Sequence, residues 1–231
     1  MTSPKGQPAI GTLQERSLHA KLKEVLEEPG DKFEVPVEGF VIDIVRGNLL
    51  IEIQTRNFSA IKNKLIKLLR THKVRLVYPI AKEKWIVRET PDGTSVVSKR
   101  RSPKKGDFID VFYELIRIPG LIKHHNFSIE LILINEEEVR RRDGKGSWRR
   151  KGWSNIDRRL TDVVGRKLLV SSSDFLQLLP ENLSEQFTNK SLADLARIPR
   201  RLAEKTTYCL RKMGVIEVEG KKGKALLFKI V

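Results

Sequence analysis

Cysteine is almost missing from this chain: Cys209 stands alone among 231 residues. A single thiol excludes an intramolecular disulfide and a cysteine-rich zinc site, and it fits a reducing cytoplasm. Long apolar runs are missing too. No stretch approaches the roughly 20 residues that a membrane-spanning helix needs, and residues 1–9 are a Pro/Gly/Ser tail without the apolar core of a signal peptide. The expectation is a soluble cytoplasmic protein with no membrane partner. No internal repeat is evident, and acidic residues are in deficit: Lys and Arg outnumber Asp and Glu by 45 to 29, for a net charge of +16. The excess is spread over residues 1–90, 91–160 and 161–231 rather than gathered in a tail. Such global basicity suits a protein that lies along a polyanion, although a ribosome-associated or thermophile-like protein shares it. With 39% hydrophobic residues, the chain can bury a core of moderate size and a smaller second one.

Leu18, Leu22, Val25 and Leu26 predict a helix over residues 13–28, ended by Pro29-Gly30. Strands are expected over 33–37, 40–46 and 49–55. Phe58, Ile61, Leu65 and Leu68 mark a second helix, and residues 74–80 read as a buried strand. A hairpin about Pro91-Asp92-Gly93, a helix over 107–118 and a strand over 127–134 follow. From Glu136 to Arg159 the character changes, with Arg140-Arg141-Arg142, Trp148-Arg149-Arg150-Lys151-Gly152-Trp153 and Arg158-Arg159 predicting a basic connecting arm.

The hairpin turn Gly47-Asn48 carries the most chemistry. If Arg46 pairs with Leu49, Asp43 falls directly opposite Glu52, with Cα atoms about 4.5 Å apart. Like charges placed so are destabilising, and these two interrupt otherwise apolar strands. A divalent cation held by both carboxylates would compensate them. The plainer alternative is a pair answered by Lys or Arg from a neighbouring element. Glu52 and Gln54 share one face of their strand.

Helix, meander with Asp43 in its second strand and Glu52-Ile53-Gln54 in its third, helix and strand together resemble the core of the PD-(D/E)XK nuclease superfamily, over about residues 10–80. The resemblance implies an α/β fold with a restriction endonuclease-like αβββαβ core. It also implies Asp43 and Glu52 as Mg²⁺ ligands, with Mn²⁺ able to substitute, the Ile53 carbonyl completing the shell, and Gln54 orienting the attacking water. Ile42 stands where the family name has proline, and Gln54 where lysine is usual. An amide positions water but carries no charge, so Lys62 or Arg56, near the start of the next helix, is expected to supply it. Resolvase-like members are similar in having a Glu on the first helix, which makes Glu15 a third candidate ligand. The alternative for Glu15 is a capping box with Thr12, and His19 is a weaker candidate.

At the C-terminus, residues 191–196 and 200–213 read as helices about Ile198-Pro199, and residues 215–219 and 224–230 as strands about Gly220-Lys221-Lys222-Gly223, a winged helix-turn-helix reading. Leu202, Cys209, Leu210 and Met213 face inward, while Arg201, Lys205, Tyr208 and Lys212 form one stripe suited to a major groove, with Lys221, Lys222 and Lys224 at the wing. The alternative is a solvated basic face in a dimerisation module. Trp148 and Trp153, beside Arg149 and Arg150, are expected to stack on bases or sugars, or else to anchor packing at a domain junction.

The sequence therefore predicts a nuclease-like domain over residues 10–135, an arm over 136–172 and a winged helix over 173–231. Its expected function is that of a Mg²⁺-dependent DNA endonuclease, with DNA as partner and a homodimer as the assembly common in the families it resembles. The rival expectation is a non-catalytic DNA-binding regulator or partner subunit with a degenerate nuclease fold, and a third is an RNA-processing nuclease.

Overall fold

A computed structural model describes residues 16–146 and 148–231. The chain is an α/β protein. Its elements run α1 (Arg16–Leu26), β1 (Lys32–Val37), β2 (Phe40–Arg46), β3 (Leu49–Ile53), α2 (Phe58–Leu68), β4 (Lys73–Glu89), β5 (Val96–Arg101), α3 (Phe112–Leu115), β6 (Phe127–Arg141) and β7 (Ser154–Leu169), then β8 (Gln186–Phe187), α4 (Asn189–Ala196), α5 (Arg200–Met213), β9 (Ile216–Lys222) and β10 (Ala225–Ile230). A seven-stranded mixed sheet has the order β1-β2-β3-β4-β6-β7, with β5 on β4, and a second sheet has the order β8-β10-β9. Among the described residues, no helix is long and apolar enough to cross a membrane.

Two compact units share the chain. One holds residues 16–28, 81–106 and 133–165, and the other 29–80, 107–132 and 166–231. In the second unit the turns at Glu38-Gly39 and at Gly47, all at positive φ, close the hairpins β1–β2 and β2–β3. Arg46 holds Asp31 through two bonds of 2.9 and 2.8 Å, a bidentate fork that ties β2 to the entry of β1. β3 then runs parallel to β4, so α2 must cross the sheet between them. It does so on Phe58, Leu65 and Leu68, all buried, with Phe58 edge-on to Tyr78 at 4.9 Å. Lys67 donates to the Glu38 carbonyl and Thr71 to the Glu38 carboxylate, which fastens the end of this helix to the first hairpin.

Where the periodicity predicts a strand over 74–80 and a separate hairpin, β4 is one strand of 17 residues, its second half pairing antiparallel with β5. Where it predicts an arm from Glu136, β6 continues to Arg141 and β7 begins at Ser154, leaving only residues 142–153 between strands. Charge compensation explains both. In the first unit Lys84 meets Glu136 at 2.9 Å and Glu138 at 3.1 Å, Arg158 meets Glu136 at 2.6 Å, Arg140 also holds Glu138, and Glu89 accepts from Arg141 and Arg159. Opposite charges on neighbouring strands stabilise the sheet, so a run that reads as polar loop is a ladder whose charges answer one another. The helix expected over 107–118 is a 3₁₀ turn, Phe108–Val111, followed by the short α3.

In the C-terminal part, which belongs to the second unit, α4 starts at Asn189 because Thr188 and Ser191 form a reciprocal capping box. Helix α5 ends on Gly214 at φ 79°, the left-handed cap that glycine supplies without strain. Leu202, Cys209, Leu210 and Met213 are buried as expected, and burial pushes the Cys209 thiol up to about 12.

The charge ladder makes a prediction. Glu136 is fully buried between Lys84 and Arg158, and removing it takes the carboxylate from Arg158 and leaves Lys84 with Glu138. Glu136→Leu is expected to cost about 3–5 kcal/mol in a urea titration followed by circular dichroism. A loss below about 1 kcal/mol would mean that the ladder does not hold these strands.

Candidate functional site

The β2–β3 ladder pairs Arg46 with Leu49, Val45 with Leu50 and Ile44 with Ile51. That is the register predicted from the turn, and it stops one pair short of Asp43 and Glu52. At the next step the Ile53 N–H donates to Asp43 Oδ2 at 2.8 Å, and the Gln54 N–H donates to the Val77 carbonyl at 2.9 Å. β2 therefore parts from β3 at Asp43, while β3 stays on β4 through Glu52↔Leu76 and Ile53↔Val77. The separation lets a carboxylate fill the place of a backbone carbonyl.

Glu52 is 5% exposed, whereas Asp43 is half-buried. Burial pushes the Glu52 carboxyl up to about 7, and the Asp43 charge pushes in the same direction, while the hydrogen bond and charge of Lys64 pull it back. Lys64 Nζ stands 2.5 Å from Glu52 Oε1 and donates to the Val41 carbonyl at 2.6 Å. It therefore bridges α2 to the strand that carries Asp43. Lys64 is the residue that sequence reasoning missed. The expected donors lie elsewhere: Lys62 is exposed on α2 and Arg56 is exposed in the loop before it. Both Phe58-Lys62-Leu65 and Ile61-Lys64-Leu68 are helical rows that flank the buried face. Which of the two meets Glu52 depends on how the helix crosses the sheet, and spacing does not encode that.

Gln54 turns its amide nitrogen back onto the loop, donating to the carbonyls of Arg56 and Asn57. Asn57 takes φ 56°, and Glu114 accepts from the Phe58 N–H at 3.0 Å, so a carboxylate from another element answers the first turn of α2. Gln54 thus supports the entry to α2 in this arrangement.

Among the described residues, no group of three or more His, Cys, Asp or Glu side chains could hold a metal ion. Glu15 and the capping alternative with Thr12 lie outside the described residues, and His19 sits half-buried on α1. The donors to hand are the Asp43 and Glu52 carboxylates and the Ile53 carbonyl. Hard oxygen ligands of this number suit Mg²⁺, which keeps several waters and fills its octahedron from substrate phosphate. A buried carboxylate with a raised pKa beside a second carboxylate fits that ion, which would compete with the Lys64 ammonium for Glu52.

On α5, Arg201, Tyr208 and Lys212 are exposed and Lys205 is half-buried, and the Lys212 ammonium lies 5.9 Å from the Tyr208 ring centroid. Lys221, Lys222 and Lys224 are exposed where β9 turns into β10 at Gly223. These residues share the second unit with Asp43 and Glu52. In the first unit, Trp148 is 83% exposed and Arg150 is exposed, while Trp153 is half-buried. The guanidinium groups of Arg88 and Arg142 lie 4.8 and 5.3 Å from the Trp153 ring centroid. The Arg149 side chain lies outside the described residues.

Comparison with known proteins adds a lineage and no activity. A family described as a domain of unknown function, DUF8091, matches residues 16–169. A protein of Treponema pallidum (strain Nichols), described as uncharacterized, is 30% identical over 222 residues, covering 95% of this chain and 87% of its own length. No solved structure matches the chain. The matched span takes in α1 through β7 and the Asp43/Glu52 hairpin, and over that span this chain is a member of the DUF8091 family.

Proposed function

We propose that this chain is a Mg²⁺-dependent DNA endonuclease, with a PD-(D/E)XK-type core in the element order α1-β1-β2-β3-α2-β4 and a winged helix formed by β8, α4, α5, β9 and β10. The observation that carries the reading is Glu52: a carboxylate kept almost wholly from water, raised to about 7, with Asp43 at its side and Lys64 against it. Carboxylates placed at such cost belong more often to a working site than to a scaffold. Mg²⁺ held by Asp43, Glu52 and the Ile53 carbonyl would supply Lewis-acid polarisation of the scissile phosphate.

The chain's own residues have distinct tasks in this reading. Asp43 fixes the end of β3 through the Ile53 N–H and would bring its carboxylate charge to the cation. Lys64 supplies the positive charge that position 54 lacks, beside the phosphate oxygens on which negative charge builds up in the transition state. Gln54 has its amide oxygen left for a water. The stripe on α5 and the wing lysines hold phosphates of the duplex.

A second reading has one specific observation in its favour. Lys64 already stands at ion-pair distance from Glu52, the compensation expected of a non-catalytic DNA-binding regulator or partner subunit whose nuclease-like core has lost its chemistry. Cleavage separates the two. Asp43→Ala or Glu52→Ala should reduce Mg²⁺- or Mn²⁺-dependent cleavage of plasmid DNA by roughly 100-fold or more, with duplex affinity unchanged. If the wild type nicks no duplex, branched or single-stranded substrate with either metal, the regulator is the better reading.

Binding makes an independent prediction. Replacing Arg201, Lys205 and Lys212 by Ala should weaken duplex binding and reduce the slope of log affinity against log salt by up to about one unit per lost phosphate contact. Unchanged affinity and slope in a fluorescence-anisotropy titration would assign α5 to assembly.

A further inference from the structure

The two tryptophans of the basic loop between β6 and β7 have different surroundings. Trp153 is half-buried with two guanidinium groups over its ring, one from Arg88 on β4 and one from Arg142 at the start of the loop. It anchors the neck. Trp148 lies near the far end and is 83% exposed. Burying an indole would remove 150–250 Å² from water, so its exposure forgoes a sizeable gain.

The described parts of the loop that carries Trp148 are tied together at several points. Asp143 Oδ1 accepts from the Lys145 N–H at 3.0 Å and from Ser154 Oγ at 2.6 Å, which closes the two ends on each other. Gly146 packs so tightly on Gly152 that a Cβ there would lie 2.1 Å from the Gly152 carbonyl carbon. Lys151 donates to the Trp148 carbonyl at 2.9 Å and Trp153 to the Arg150 carbonyl at 3.0 Å, so the Trp148–Arg150 turn is tied back to the neck. The indole is presented from a hydrogen-bonded turn.

The chemistry around it selects the occupant. Arg150 and Lys151 are exposed beside it, and the remaining described positions of the loop's outer part are glycine or charged. A single indole in a loop otherwise made, among its described outer positions, of glycine and charged residues is a poor membrane anchor, because interfacial binding scales with buried apolar area. An indole flanked by cations suits a ligand that is anionic and carries flat rings, which is single-stranded nucleic acid; in a duplex the base faces are already stacked. We infer that the turn beginning at Trp148 is a stacking platform for an unpaired nucleobase, with Trp148 taking the base and Arg150 and Lys151 the adjoining phosphates. This rests on the nucleic-acid reading above and narrows its substrate class to DNA with a single-stranded segment.

The test uses the full chain in EDTA, where cleavage plays no part. Wild type should bind oligothymidylate with quenching of tryptophan emission. Trp148→Ala should lose about 5- to 100-fold in that affinity, the equivalent of one base stack, and bind blunt duplex as the wild type does. Trp148→Phe should retain most of the affinity and lose the quenching. Equal oligothymidylate binding by Trp148→Ala overturns the inference, as does quenching that survives in Trp148→Phe, or Trp148-dependent binding to phosphatidylserine vesicles without binding to oligothymidylate. Trp148-dependent binding by a wild type that cleaves nothing when Mg²⁺ or Mn²⁺ is restored would sink the nuclease reading alone.

Discussion

A carboxylate buried as deeply as Glu52 must be neutralised by a proton, a basic side chain or a metal ion, and the surrounding elements are arranged around that competition. Its carboxyl is pushed up to about 7 by burial first and by Asp43 in addition, with Lys64 opposing both. Between about pH 4.5 and 7 the folded chain holds a proton that the unfolded chain has released. The contribution of this group to stability therefore falls as pH rises through that window, and its full cost stands above about 7. The parting of β2 from β3, the Asp43 bond to the Ile53 N–H and the reach of Lys64 from α2 to the Val41 carbonyl all converge on this residue.

The first unit shows what the same problem looks like when it is solved by scaffold alone. Burial pushes the Glu138 carboxyl up, but the charges and bonds of Lys84 and Arg140 outweigh it and hold the group below its usual range. Glu136 and Glu89 likewise each meet two cations. Among the described residues, Glu52 is paired with Lys64 alone and has Asp43 working against it. That difference sets the Asp43/Glu52 pair apart in a chain with many buried acids.

Much of this was legible in the sequence, for reasons that differ by element. Gly47-Asn48 set the hairpin register because the turn admits few pairings, and Phe40–Arg46 and Phe58–Leu68 follow from apolar period alone. The α4–α5 pair followed from Pro199, Gly214 and the inward stripe of α5. The far halves of β4 and β6 and the whole of β7 did not follow as continuous strands, because their alternating charges are paired across strands and no local pattern tells a paired arginine from a solvated one. The site was half legible for the same reason. Asp43 and Glu52 are positioned by a local turn, whereas Lys64, Glu114 and the inward fold of Gln54 come from contacts made through the sheet and the α2 entry loop.

The account stands on the claim that the acidic pair takes a divalent cation, and thermal unfolding of the full chain with Mg²⁺ at two pH values tests it most directly. At pH 8, where Glu52 is ionised, Mg²⁺ at ten times its Kd should add about 1.4 kcal/mol over matched Na⁺ ionic strength, or roughly 3–6 °C in Tm. At pH 5.5 the proton on Glu52 should remove most of that gain. Asp43→Asn keeps an oxygen for the Ile53 N–H while removing the charge, so it should lose the Mg²⁺ response and melt at or above the metal-free wild type. A wild type indifferent to Mg²⁺ at pH 8, with a markedly destabilised Asp43→Asn, would contradict the account.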